Sequence, residues 1–264
     1  MTQNTRPTSI DDIDWVVLNA ESQPERLAEF NSANGDLGLP IEVVAATERR
    51  DIDFRELVQL DLVDPEIEEW NAEGVANALS HWLCWHQAVE SQRPVGILRD
   101  SAILRRDFRA RVEGLLGGIA DGWEYLQLGC DTLSGIDVQI TPDCRYRGRF
   151  TRDQSNADDL ATFAAVVTPV VPMRMFNAFG DFAYIVTPAG AQFLIDQCFP
   201  LTMRVLGVPA LRGNIRTTSI DGVMNRFFSS MQAYVSFPPL ALGRTEVDVV
   251  VVDTTPDEEA RAGS

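Results

Sequence analysis

Lysine is absent from this sequence, and all 22 of its basic residues are arginine. Against 39 acidic residues they leave a formal net charge of −17. A field of that sign keeps a protein soluble and repels phosphate backbones, so DNA and RNA are not expected partners of the surface as a whole. Histidine occurs twice, which leaves histidine-based acid–base schemes few options. The cysteines Cys84, Cys130, Cys144 and Cys198 form no C-x-x-C pair, so neither a zinc site nor a disulfide framework is indicated, and buried thiols are expected. No apolar run approaches the ~20 residues that span a bilayer. Residues 1–14 lack the basic-then-apolar layout of a signal peptide, and a cytoplasmic protein is the expectation. There is no G-x-S-x-G elbow, and Gly114, Gly117 and Gly118 have the wrong spacing for a dinucleotide fingerprint.

What is present reads as one large α/β domain. Trp15-Val16-Val17-Leu18 is a buried strand ending at Asn19, Pro24 opens a helix to about Asn34, and Ile41 to Ala45 is a second strand. That order is a βαβ unit, which places ligand sites at strand C-terminal ends. Glu73 to Glu90 reads as a helix with a stripe of Val75, Leu79, Trp82, His86 and Val89. Val95 to Leu98 is the next strand, ending at Arg99-Asp100-Ser101; a helix over Asp107 to Leu116, closed by Gly117-Gly118, and a strand over Trp123 to Leu128 follow. Residues 130–159 read as irregular loop, and strands are expected over Ala164 to Val171 and Phe182 to Val186. Thr187-Pro188 is a helix start, a capping hydroxyl before a first-turn proline. A helix over Ile220 to Met231, a strand over Tyr234 to Phe237 and a last strand over Val247 to Val252 complete the reading. The organisation expected is a flexible lead (1–13), one domain (14–252) and a disordered acidic tail (253–264).

Four segments, in order, resemble glycosyltransferase family 25, the lipooligosaccharide and collagen-galactose transferase group. They are Asn19 with Pro24-Glu25-Arg26, Glu73 to His81, Pro94 to Phe108, and Gly180 to Tyr184 with Thr187 to Leu194. Asp221 and Pro238-Pro239-Leu240 also fit, so the likeness spans residues 14–242. The resemblance implies a GT-A-like single domain, with a Rossmann-like, mostly parallel (mixed) sheet flanked by helices. It also implies a nucleotide-sugar donor, a hydroxyl acceptor such as a glycan, and donor contacts from Asn19, Arg26, Ser80 and His81.

When a sugar leaves a nucleoside diphosphate, negative charge builds on the departing phosphate, and a divalent metal held by acids is the common counter-charge. The family's strand normally ends in Glu-Asp-Asp, whereas this chain has Arg99-Asp100-Ser101. Asp100 is the one ligand left for manganese or magnesium, and the neighbouring arginine opposes a cation. The expected cofactor is therefore none or a weakly bound divalent ion. Two roles are open to Arg99: neutralising the diphosphate itself, or simply pairing with an acid after donor chemistry has been lost.

Arg145, Arg147, Arg149 and Arg152 are basic in an acidic chain, either as a solvated loop paired with neighbouring acids or as a lid over phosphates. Asp221, at a helix start, is either a cap or the acid that deprotonates the acceptor; Asp131 is a second candidate. Ser80 and His81 point about 100° apart on a helix and cannot form a dyad, and His81, Cys84 and His86 do not share one face as metal ligands. The function expected is sugar transfer, possible without metal. The alternatives are a silent member that binds a nucleotide-sugar, glycan or protein, and a transferase acting on a modified nucleobase, against which the net charge counts.

Overall fold

The opening apolar run becomes β1 (Asp14–Asn19), and the proline-started helix α1 (Pro24–Asn34) returns the chain to β2 (Ile41–Ala45). Both β2 and β3 (Val95–Arg99) pair parallel to β1, in a computed structural model that describes residues 7, 9–67, 70–130, 135–149, 157–208 and 213–243. Between them lie α2 (Phe54–Gln59) and the long α3 (Ala72–Ser91). Asn71 caps α3 by accepting from Gly74 N at 2.7 Å. After β3 come β4 (Ala102–Leu104), α4 (Phe108–Gly118) and β5 (Tyr125–Gln127). A hairpin of β6 (Gly135–Thr141) and β7 (Cys144–Arg149) leads to α5 (Ala157–Ala164), β8 (Val171–Ala178) and β9 (Ala183–Val186). Thr187 caps α6 (Pro188–Cys198), as its sequence signature predicts. The strands β10 (Val205–Val208) and β11 (Gly213–Arg216), the short α7 (Ile220–Met224), β12 (Ala233–Phe237) and β13 (Ala241–Gly243) complete the described chain.

Nine strands form one mixed sheet in the order β2-β1-β3-β9-β5-β12-β8-β6-β7. Parallel pairing joins β1 to β2, β1 to β3 and β5 to β12; the other neighbours run antiparallel and outnumber them. Helices cover both faces, which is why β1 is a continuous apolar run and not an alternating one. Val16 and Leu18 enter the core beneath α3 and α6, while Trp15 and Val17 enter the core that contains Phe108 and Leu116 of α4.

Several local expectations change. Residues 130–159 are not simply loop: β6 alternates Ile136, Val138 and Ile140, and β7 pairs with it at the sheet edge. The strand expected over Ala164 to Val171 lies later, at Val171–Ala178, because residues 157–164 are helical. In α3 the fully buried line is Ala78, His81, Trp85 and Ala88, with Trp82, His86 and Val89 only half-buried. That line faces the sheet, where the polar atoms of His81 and Trp85 find Tyr184. Gly117 and Gly118 belong to α4, which ends at Gly118 with Ile119 as its extended cap. The strand expected over Trp123 to Leu128 narrows to Tyr125–Gln127, and α7 stops at Met224. Cys144 is exposed, unlike the other three thiols. The lead is anchored over its described end, since Ile10 and Ile13 are buried with Trp15 and Phe30. The last expected strand (247–252) and the acidic tail lie outside the described residues.

Candidate functional site

The parallel register sets Leu18 of β1 beside Arg99 of β3, so the C-terminal ends of both strands open at one edge of the sheet. Asn19 and Asp100 meet there. Asn19 Nδ2 donates to Asp100 Oδ2 at 2.8 Å, and Arg26, from the first turn of α1, pairs with Asp100 Oδ1 at 3.0 Å. Both oxygens of the one acid that survives from the expected metal motif are thus engaged by nitrogen donors.

Strand β9 runs antiparallel to β3, so the residues just before β9 face the end of β3. Arg99 N donates to Phe182 O at 3.0 Å, and Arg99 Nη1 donates to Asp181 Oδ1 at 3.0 Å. From α3, Asn77 Nδ2 donates to Asp181 Oδ2 at 2.6 Å, and His81 Nε2 lies 3.4 Å from the same oxygen. The turn that delivers Asp181 uses Gly180 at φ +111°, a left-handed conformation that glycine tolerates best. Gln127, fully buried, fixes this turn by sharing its two Nε2 hydrogens among the carbonyls of Phe179, Gly180 and Gly129.

Asp221 comes in from α7. Its Oδ2 accepts from Gly180 N at 3.1 Å, and its Oδ1 accepts from Gly222 N at 2.8 Å and from the Ser219 hydroxyl. Asn225 ties the same turn to the end of β8 through both polar backbone atoms of Ala178. Arg99, Asp181 and Asp221 therefore converge, each on a separately braced element.

The two acids ionise differently. Burial works to raise the pKa of Asp181, but the Arg99 charge and the His81 and Asn77 contacts overcome it and hold the carboxyl well below the usual range. Burial raises the pKa of Asp221, the negative charge of Asp181 raises it further, and the hydrogen bonds from Ser219, Gly180 and Gly222 offset only part of this. The guanidinium of Arg99 is held charged by Asp181 first, against burial, with help from Asp100 and Asp221. Two carboxylates pushed in opposite directions are a common sign of divided acid–base roles.

Of the residues expected from sequence, Asn19, Arg26 and Asp100 meet as one group, and Arg99, His81 and Asp221 meet in the neighbouring one. Ser80 serves elsewhere: its hydroxyl donates to Ala76 O and accepts from Thr47 N at 2.9 Å, tying α3 to the loop after β2. Ser101 is buried, and its hydroxyl has no hydrogen-bond partner among the described residues. Asp131 and Arg152 lie outside the described residues. Arg145, Arg147 and Arg149 lie on β7, not in a loop. Arg145 and Arg147 both pair with the buried Asp137, at 2.7 and 2.9 Å. Six strand spacings separate β7 from β3, roughly 29 Å along the sheet at ~4.8 Å each. Asp181 and Asn77 stand in the site without having been expected there. The signal for Asp181 was an acid directly before a strand antiparallel to β3, readable only once that pairing is known.

Asp100 is engaged by Arg26 and Asn19, Arg99 precedes it in the chain, and no cluster of three or more acidic, cysteine or histidine side chains suited to a metal occurs among the described residues. Burial pushes the Cys84 thiol up to about 12, so it is not a ready thiolate ligand. No helix among the described residues is long and apolar enough to cross a membrane.

A family model described as glycosyltransferase family 25 (LPS biosynthesis protein) matches residues 13–206. No curated protein matches the chain. Among solved structures, a mannose-1-phosphate geranyltransferase from Thermus thermophilus aligns over 90% of this chain and 76% of that one, at 11% identity and a TM-score of 0.37. A likeness of that degree carries no argument about the site.

Proposed function

Because this chain belongs to glycosyltransferase family 25, we propose that it moves a sugar from a nucleotide-sugar to a hydroxyl acceptor, with the Arg99 guanidinium standing in for a metal ion. In such a transfer the bond from the anomeric carbon to the diphosphate oxygen breaks as the acceptor oxygen forms its own bond to that carbon. The electron pair leaves with the diphosphate, and the acceptor hydroxyl gives up its proton. The leaving charge needs a cation, and a guanidinium matches phosphate oxygens well. The described hydrogen bonds of the Arg99 side chain engage Nη1 alone, and the side chain is 30% exposed, so further N–H groups remain for a ligand. Asp221 is the acid we assign to receive the acceptor proton. Its raised pKa makes it a stronger base than an ordinary aspartate when ionised.

The observation that carries this reading is the Arg99–Asp181 pair at the end of β3, beside an Asp100 whose oxygens are already engaged. The acceptor we favour is a glycan hydroxyl, and Asn19 and Arg26 act on the donor side by fixing Asp100. The test is release of nucleoside diphosphate from a panel of nucleotide-sugars in the presence of EDTA. Turnover with at least one sugar, lost in Arg99→Met, supports the reading. Turnover that appears only with manganese or magnesium contradicts it.

A further inference from the structure

A connected series of buried polar groups runs from α3 to Arg99. It starts at Trp85 Nε1, a donor with no acceptor capacity, which donates to the Tyr184 hydroxyl at 2.9 Å. The same hydroxyl lies 2.7 Å from His81 Nδ1. With Trp85 using one lone pair of that oxygen, the tyrosine proton is free to go to Nδ1, the arrangement in which a neutral His81 carries its proton on Nε2. That nitrogen lies 3.4 Å from Asp181 Oδ2, a close contact that lacks hydrogen-bond geometry, while Oδ1 receives Arg99. Trp85, His81 and Tyr184 are fully buried, and Tyr184 is also stacked on Tyr125 with ring centroids 5.0 Å apart. Bulk water does not reach these contacts.

We infer that Asp181 is a positioning residue, holding the direction of the Arg99 guanidinium, and that Trp85, Tyr184 and His81 hold Asp181 in turn. An arginine paired only at the surface samples many directions, and such pairs contribute little. Arg99 instead leans on a carboxylate that is fixed from behind by α3 through Asn77 and His81, and from the side by the Gln127-pinned turn. Outer groups of this kind aim the residue that meets the ligand. The consequence for donor binding rests on the transferase reading; the aim of Arg99 does not.

The test uses the full chain, in which only two histidines contribute ring signals. Nitrogen NMR of the imidazoles is expected to show the Nε2–H form of His81 in the wild type and a mixture of both forms in Tyr184→Phe, with His86 unmoved. The Arg99 side-chain N–H signal is expected to be protected from exchange in the wild type and unprotected in Asp181→Asn. Affinity for uridine or guanosine diphosphate in EDTA is expected to fall about 10-fold or more in Asp181→Asn, the scale of lost outer-shell partners. A smaller fall, with little change in melting, is expected in Tyr184→Phe, which keeps the ring and serves if Asp181→Asn does not fold. A wild-type His81 protonated on Nδ1, or equal Arg99 protection with and without the Asp181 charge, overturns the inference. If the wild type binds neither diphosphate, the transferase reading fails, and the two NMR readouts still decide the positioning role.

Discussion

Arg99 and Asp181, 82 residues apart in sequence, meet at 3.0 Å where β3 ends and β9 begins. Each side chain also answers to a further acid. Asp100 and Asp221 both favour the charged guanidinium, while Asp181 holds down its own pKa through Arg99 and raises that of Asp221. The ion pair sets a cation at the strand end and holds the Asp181 pKa down, while burial, with the Asp181 charge second, raises that of Asp221.

Arg99→Glu removes the pair and adds a like charge beside Asp100, Asp181 and Asp221. Stability is expected to fall by about 2 kcal/mol, the scale of a lost charged hydrogen bond, as read by urea unfolding. The same variant gathers carboxylates that suit a hard cation. Manganese is therefore expected to raise its melting temperature and to leave that of the wild type unchanged.

The acidic limb of kcat/KM is expected to follow Asp221. A base must be ionised to act, so activity rises with pH through a pKa that lies above that of an ordinary aspartate. Asp181 is the charged group that raises its pKa, and Arg99 and Tyr125 are titratable groups that feel its charge, so removing the Asp181 charge lowers the Asp221 pKa. Asp181→Asn should therefore move the limb to lower pH, while Asp221→Asn should lower kcat by roughly 10²-fold or more. A limb that stays in place in Asp181→Asn would separate Asp221 from the pH profile.

Acid stability depends on Asp181 with the opposite sign. Its folded pKa is depressed, so its contribution is fully present above the unfolded value of about 4 and is lost as pH falls further toward the folded value. Asp221, with a raised folded pKa, favours the folded state most below about pH 4 and less as pH rises through that pKa. Urea midpoints measured across pH are expected to fall less steeply on the acid side in Asp181→Asn than in the wild type.

The elements legible in the sequence carry local signals. Pro24 fixes the start of α1, Thr187-Pro188 fixes that of α6, and the apolar run of β1 needs no partner to be recognised. Strand β7 hides because an exposed edge strand made of Cys144, Tyr146, Gly148 and alternating arginines has no apolar face; charges there also discourage edge-to-edge pairing. Strand β8 hides because Pro172 and Arg174 interrupt it, and Arg174 turns back to cap the carbonyls of Ala233 and Phe228. In the site, Asn19, Arg26, His81, Arg99, Asp100 and Asp221 were legible through the family's segments. Asp181 lies in the fourth of those segments but carried no assigned role, because its contact with Arg99 exists only through the antiparallel pairing of β3 and β9.

The β7 arginines are expected to be structural. Arg145→Ala with Arg147→Ala should leave nucleoside diphosphate affinity unchanged, as calorimetry would show. Asp137→Ala, which strips two guanidinium groups of a buried partner, should lower stability by about 1–3 kcal/mol. A clear loss of affinity in the arginine double variant would favour the lid over phosphates instead.

The most direct measurement is calorimetric titration of uridine and guanosine diphosphate into the wild type and Arg99→Met, in EDTA and then in manganese. The account predicts binding by the wild type in EDTA, little change on adding manganese, and at least a 10-fold loss in Arg99→Met, on the scale of a charged hydrogen bond. Wild-type binding that needs manganese, or equal binding by Arg99→Met, would contradict it.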